Sequence, residues 1–245
     1  ILLDIAVTTQ LLHDASLIHD DLIDEDTERR GYLTIWKKYG KAKAVLIGDL
    51  LISKAYQLVS NSNIASDIKL AWVNEISRAV SSAVFGAVSE LQFDSHDKSL
   101  ILENYYRMAS RKTGALFALP ARCIASASTR EEDKDNLSEI FFKLAVAYQI
   151  KDDQCDFLGT KSGRQHSSDL KNGRPNLYHL LTNSAMSIEE SFNYINDFHK
   201  SLVVDSIQLA ETMPEKVRGI IKTLLIPFIE IKPLPSSNRL LPIGT

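Results

Sequence analysis

Proline is missing from the first 119 residues of this 245-residue chain, and glycine occupies only ten positions in all. Chain breakers this sparse leave little to interrupt a helix, and the abundance of Ala, Leu, Ile, Ser and Lys favours that state. Strand signals are scarce as well. Apolar–polar alternation is hard to find, and the Asn172-Gly173 pair has flanks that do not alternate. Two cysteines, Cys123 and Cys155, lie too far apart for a CxxC zinc knuckle and are too few for a disulfide framework. A reducing, cytoplasmic setting is therefore expected. The net charge of -3 shows no global basic excess pointing to nucleic acid or an anionic membrane, with local basic clusters left open, and no nucleic-acid partner is expected. No apolar run reaches the roughly 18–20 residues of a membrane span, which argues against an integral membrane protein. No signal peptide is visible. The hydrophobic share of 44% and charged share of 24% are those of a globular chain and exclude disorder.

What is present reads as a series of helices. One runs to about Asp24, others over about Lys41–Val59 and Ile64–Phe93. A fourth starts near Lys98 and continues past Gly114, with a kink expected at Pro120. A fifth spans about Glu131–Leu158, and shorter ones cover Asn176–Thr182, Ile188–Val204 and Ile207–Ile229. Several are apolar on more than one face, as in Ala42–Leu51 and Leu144–Ile150, which marks helices that are buried or line a pocket. Pro233, Pro235 and Pro242 set off an irregular C-terminal tail, residues 232–245, from a single all-α domain over residues 1–231. The chain opens on Ile-Leu-Leu-Asp, without methionine and already inside an apolar periodic segment, so N-terminal helices are expected to be missing from it.

Two acidic clusters stand out. In His19-Asp20-Asp21-Leu22-Ile23-Asp24, a helix places Asp20 and Asp24 on one face, at i and i+4. The second, Lys151-Asp152-Asp153-Gln154-Cys155-Asp156, repeats the DDxxD spacing after an apolar helix containing Gln149. Carboxylates this close repel one another, and hard oxygen-seeking cations such as Mg²⁺ offset that repulsion. Mg²⁺ seldom sits in an all-protein cage and takes substrate phosphates into its shell. Facing clusters across a bundle therefore imply a diphosphate ligand. Arg29, Arg30, Lys112, Arg164 and Arg174 supply the matching cations. His13 lies two turns before Asp20 on the same face. Taken singly, each of these residues is an ordinary helix-end acid, solvated charge or core histidine; their grouping carries the argument.

At this point the residues resemble a known family, the trans-isoprenyl diphosphate synthases or polyprenyl synthetases. The stretch SLIHDDLIDEDTERRG, Ser16 to Gly31, resembles the first aspartate-rich motif with its trailing arginine pair. Gly48-Asp49, Lys112-Thr113-Gly114, YQIKDDQCDFLG (Tyr148 to Gly159) and the Arg164…Asp169-Leu170…Gly173-Arg174 segment resemble the motifs that follow, in order. The resemblance implies an isoprenoid-synthase-type helical bundle around a central cavity. It implies about three Mg²⁺ ions held by Asp20, Asp21, Asp24, Asp152 and Asp153, supported by Asp156. Arg29, Lys112 and Arg174, with Arg164 nearby, would contact an allylic diphosphate. Arg30 and His13 would bind isopentenyl diphosphate, and Thr113 and Gln149 would flank a developing carbocation. Two departures stand beside it: no Gly-Gly-Lys-Arg segment precedes the first motif, and Arg164 and Arg174 replace the family's lysines. A homodimer is also implied, with the long apolar Ile64–Phe93 helix at its interface.

The helix ending at Asp20 is expected to wall the pocket, with the growing prenyl chain running past Ser16 or Ala15, then Leu12, then Thr8 or Thr9 and Ile5. Ser16 and Ala15 are small where short-chain members carry bulky aromatics. The expectation is a product of about C30–C50, or at least longer than C15. Two other readings stay open: a class I terpene cyclase, for which Asn196-Asp197…Ser201…Asp205 is a poorly spaced second metal triad, and a non-catalytic subunit of a heteromeric synthase.

Overall fold

Long stretches without proline become long helices. The computed structural model describes residues 2–127, 133–160, 168–184 and 186–233. Helix α1 (Leu2–Ile23) is followed by a two-stranded hairpin, β1 (Glu28–Arg29) and β2 (Tyr32–Leu33), and by a short α2 (Ile35–Tyr39). Helices α3 (Lys41–Asn61), α4 (Ser66–Leu91), α5 (Ile101–Ala109), α6 (Ala115–Ser126) and α7 (Asp133–Phe157) make the main body. The remainder is α8 (Ser168–Lys171), α9 (Leu177–Thr182), α10 (Ile188–Ala210), α11 (Glu215–Ile220) and α12 (Ile226–Ile229). The expected all-α bundle is the observed one, and the hairpin is the only sheet among the described residues. No helix there is long and apolar enough to cross a membrane.

Local chemistry sets the element ends. Helix α1 closes when Glu25 takes a positive φ of 53°, with Asp26 N–H on Asp21 O at 3.0 Å and Glu25 N–H on Leu22 O at 3.4 Å. That pairing satisfies the last carbonyls and turns the chain sharply. The turn leads into the hairpin, whose central residues Arg30 and Gly31 have φ of +53° and +82°. Such primed geometry matches the strand twist. No alternating sequence flanks it, which is why it was not legible, while Gly173 serves a turn after α8 and not a hairpin. Ser187 caps α10 in a reciprocal box with Glu190, and Asn176 caps α9.

One irregularity was not expected, and one expected break moved. Helix α6 runs through Pro120 without interruption; the irregularity lies ahead of it, in a π-helical turn over Ser110–Gly114. A π-turn inserts one extra residue per turn and leaves no proline or glycine signature in sequence. The expected gap near Asp205 is absent, because α10 continues to Ala210 and the break comes at Met213-Pro214. A second π-turn, Ile221–Leu225, joins α11 to α12.

The core forms two clusters on either side of a cavity. One, below α1, α3, α4 and α6, centres on fully buried Trp72, whose indole N–H donates to Cys123 O at 2.8 Å. The other joins α5, α7, α9 and α10 around Tyr105, Tyr178 and Phe192. Both cysteines are free, and burial pushes the Cys123 thiol up to about 12. At the expected tail boundary, Gln154 receives Lys232 N–H at 2.7 Å and donates to Lys232 O at 2.8 Å, fixing that backbone to α7. The rest of the tail, from residue 234, lies outside the described residues.

Candidate active site

A cavity of about 750 Å³ opens between α1, α4, the π-turn and α7. Its mouth carries Asp20, Asp24, Arg29, Arg30, Lys112, Asp152 and Arg174, and its depth is apolar, with Leu12, Ala15, Ile52, Val80 and Leu116. Two close approaches build the mouth. At Gly48 on α3 an added Cβ would stand 2.1 Å from His19 Nε2, and at Gly86 on α4 it would stand 2.3 Å from Lys112 N. At Gly86 the neighbour is backbone, which only glycine admits. Gly86 in particular lets the π-turn press its backbone onto α4, so that Lys112 and Thr113 project into the cavity.

The two acidic clusters do face the same space, but not with all their members. Asp20 on α1 and Asp24 just past its end line the cavity together with Asp152 and Asp153 on α7. Asp21, one residue on from Asp20 and so rotated by about 100°, does not line it; it is buried and pairs with Arg29 at 2.6 Å. Asp156 is fully buried away from the cavity and accepts from Asp169 N at 3.3 Å. Asp153 reaches the cavity edge yet is 1% exposed, accepting from Tyr105 Oη at 2.8 Å, Leu177 N at 2.8 Å and Gln149 Nε2 at 3.0 Å. Burial and the Asp169 carboxylate push its pKa well up, against the pull of those donors. Of the six aspartates expected at metal, Asp20, Asp24, Asp152 and Asp153 line the cavity, Asp153 with its oxygens held by neighbouring residues, whereas Asp21 and Asp156 do not line it.

The cations arrange themselves around Asp20 and Asp24. Arg174 Nε lies 2.8 Å from Asp24, with Asp26 at 3.4 Å and Asp169 at 3.5 Å around the same guanidinium. Lys112 pairs with Glu90 and lies 3.5 Å from Asp20. Burial works to lower the Lys112 pKa, but Asp20 and Glu90 outweigh it and hold the group charged. Burial raises Asp24 to about 7, with Arg174 and Lys112 opposing. His13 lines the cavity, and burial lowers its pKa so that the neutral ring is favoured at pH 7. Thr113 Oγ1 donates to Gln149 Oε1 at 3.2 Å, and both residues line the cavity. Arg164 lies outside the described residues.

Sequence reasoning missed Glu90, the sole acid of the apolar run Phe85–Leu91, whose isolation was the available signal. It also missed Asp26 and gave no role to Asp169, both of which fix Arg174, and it missed the tilted Phe117–Tyr148 pair on the wall, with centroids 5.6 Å apart. The chain-length residues Ala15, Ser16 and Leu12 all line the cavity. The cavity stops at Leu12, however. Ile5 lies beyond it, packed into the core cluster with Trp72 and Leu119, and Thr8 is buried without lining the cavity. None of Thr8, Thr9 and Ile5, expected beyond Leu12 on the prenyl path, lines the cavity.

The donor chemistry suits a divalent ion. Among the described residues no group of three or more acidic, histidine or cysteine side chains is drawn together tightly enough to hold an ion alone. Pairs of hard oxygen donors facing each other across a basic mouth are what Mg²⁺ uses when substrate phosphate completes its shell.

Comparison with known proteins places this geometry. The polyprenyl synthetase family model matches residues 2–205. A short chain isoprenyl diphosphate synthase of Methanocaldococcus jannaschii is 35% identical over 69% of this chain and 52% of its own length. The octaprenyl diphosphate synthase of Escherichia coli is 33% identical over 71% of this chain and 53% of its own. The chain spans about half the length of these curated relatives. The crystal structure of geranylgeranyl pyrophosphate synthetase from Pyrococcus horikoshii superimposes with a TM-score of 0.80 at 26% identity, covering 94% of this chain and 79% of that one.

Proposed function

Because the chain belongs to the polyprenyl synthetase family, we propose that it condenses isopentenyl diphosphate with an allylic diphosphate to make a trans-polyprenyl diphosphate. The observation that carries this reading is the shared cavity: carboxylates from two separate DDxxD clusters meet at a basic mouth above a deep apolar pocket. Asp20, Asp24 and Asp152 would hold Mg²⁺, about three ions with the substrate phosphates. When bound, these ions neutralise the diphosphate and ease its departure.

The chain's own residues do the rest. Lys112 and Arg174 add fixed positive charge where the leaving diphosphate gathers its negative charge. Arg29, with Nε and Nη2 taken by Asp21, keeps Nη1 for phosphate. His13 and Arg30 sit at the same mouth and would seat the second diphosphate. Cleavage of the allylic C–O bond sends its electron pair to diphosphate and leaves an allylic cation. The oxygens of Thr113 and Gln149 face that cation, and the apolar wall keeps out water that would convert it to an alcohol. The double bond of isopentenyl diphosphate then forms the new C–C bond, and a proton passes to the departed diphosphate.

The cavity volume supports a product longer than C15. About 150 Å³ suffices to admit benzene, so 750 Å³ provides room on the order of five such rings, shared with the second substrate and the diphosphates. Ala15 and Ser16 leave the upper pocket open and Leu12 closes it below. A homodimer through α4 is part of the same reading, since Leu70 and Phe85 are each 64% exposed there, as is a cytoplasmic location.

A product assay tests the proposal. The full-length protein would receive radiolabelled isopentenyl diphosphate, Mg²⁺ and dimethylallyl, geranyl, farnesyl or geranylgeranyl diphosphate in turn. A ladder ending in one prenyl alcohol after dephosphorylation is expected. Folded protein that incorporates no label with any primer sinks it.

A further inference from the structure

From Arg29 to Gly48 the chain carries six cationic side chains and no carboxylate, in a protein of net charge -3. Arg29 and Arg30 line the cavity mouth. The other four, Lys37, Lys38, Lys41 and Lys43, are exposed. Three of them rest on rings: Lys37 and Lys41 lie 5.7 and 5.6 Å from the Trp36 ring, and Lys38 lies 5.1 Å from the Tyr39 ring. Trp36 itself is tethered by its indole N–H to Asp26 O at 2.7 Å. Glu25 takes Lys41 at 2.6 Å, and among the described residues Lys37, Lys38 and Lys43 have no salt-bridge partner. Beside the lysines, Tyr32 is 80% exposed, Leu33 53% and Tyr39 47%.

This surface belongs to the cavity rim, because Tyr32 pairs directly with Arg29 across the hairpin. Exposed tyrosine and leucine next to a lysine cluster is the composition of a bilayer-interface contact, where rings enter the headgroup layer and ammonium groups meet lipid phosphate. Nucleic acid fits less well: the outward cations are all lysines, without the guanidinium forks that read phosphate and stack on bases, and Leu33 is aliphatic. We propose that the hairpin and the α2–α3 junction dock this protein on an anionic membrane surface, with the cavity mouth beside the lipid. Resting on the prenyl-elongating reading, the docking would let a product with a long apolar tail pass to the bilayer without crossing water.

The test is co-sedimentation of the full-length protein with vesicles of phosphatidylcholine alone or with phosphatidylglycerol added. Binding to the anionic vesicles at low salt, and its loss at high salt, is expected. At roughly one kcal/mol per lysine, or about fivefold, the Lys37→Glu/Lys38→Glu variant would lower partitioning by about 25-fold or more. Tyr32→Ser/Leu33→Ser would lower it with charge unchanged. Both variants would keep the wild-type melting temperature and wild-type turnover on a short soluble primer. No sedimentation with anionic vesicles, equal partitioning of wild type and the charge variant, or binding of single-stranded RNA in place of vesicles would overturn the proposal. A protein that sediments but transfers no prenyl group keeps the docking and loses the delivery role.

Discussion

Gln149 donates from Nε2 to Asp153 Oδ1 at 3.0 Å, which leaves its carbonyl oxygen facing Thr113 Oγ1 at 3.2 Å. Asp153 thus decides which end of an amide a cation in the cavity would meet. Its two neighbours Tyr105 and Leu177 complete a buried cradle, so the aspartate organises the wall while adjacent Asp152 faces the open space.

The two aspartates of the second cluster should therefore fail differently. Asp152→Asn is expected to cut kcat by about 10²–10³-fold with little change in melting temperature. Asp153→Ala orphans three donors and is expected to cost about 3–5 kcal/mol, read as a depressed melting temperature in addition to lost activity. Equal thermal stability of the two variants would remove the distinction.

Gly86 offers a steric test. A methyl group there would press on Lys112 backbone, which has no cheap route of escape. Gly86→Ala is expected to destabilise by about 1–3 kcal/mol and to lower turnover by displacing Lys112. Gly219→Ala is the counterpart: its added Cβ meets nothing within 4 Å, in helix α11, and should stabilise by about 0.5–1 kcal/mol. Thermal melts of both variants decide.

Product size should follow the α1 face. Ala15→Phe would fill the cavity above Leu12 and shorten the product. Leu12→Ala would open the way toward Ile5 and lengthen it, at about 2–5 kcal/mol in stability. Chromatography of the dephosphorylated products reads both, and unchanged lengths would place the floor on another helix.

His199 gives a pH signature away from the cavity. It is buried, with Nε2 3.0 Å from Ile229 O, and burial lowers its pKa below the ordinary 6.5. The folded state then binds fewer protons than the unfolded state as pH falls through 6.5. Stability should decline on acidification in that window and recover as pH rises. His199→Gln is expected to flatten this slope between pH 7 and 5 in thermal melts; an unchanged slope would assign it elsewhere.

The large helices were legible because nothing interrupts them: α4 and α7 follow from proline-free, glycine-poor runs. The π-turn at Lys112-Thr113 was not, since its cause is the close approach at Gly86, a tertiary contact between residues far apart in sequence. The helix continues through Pro120 as expected, held there by packing of Ala118, Leu119 and Cys123 in the core. Spacing identified both acidic clusters, and helical rotation explains why Asp20 and Asp24 share a face that Asp21 leaves. Which carboxylates serve as props could not be read, because their partners Tyr105, Leu177 and Asp169 come from other elements. The hairpin escaped notice for lack of alternation, though Arg30-Gly31 sits at its centre.

The grip of Gln154 on Lys232 has a consequence in time. Seventy-eight residues separate the two, and at about 5–20 residues per second a ribosome needs roughly 4–16 s to cover that distance. Through that interval the second acidic cluster already exists on the nascent chain while the backbone that clasps its helix does not. Completion of the packing around the end of α7 is therefore tied to nearly the last stretch of the described chain, and ligand binding by shorter nascent forms would meet a helix end still lacking its clasp.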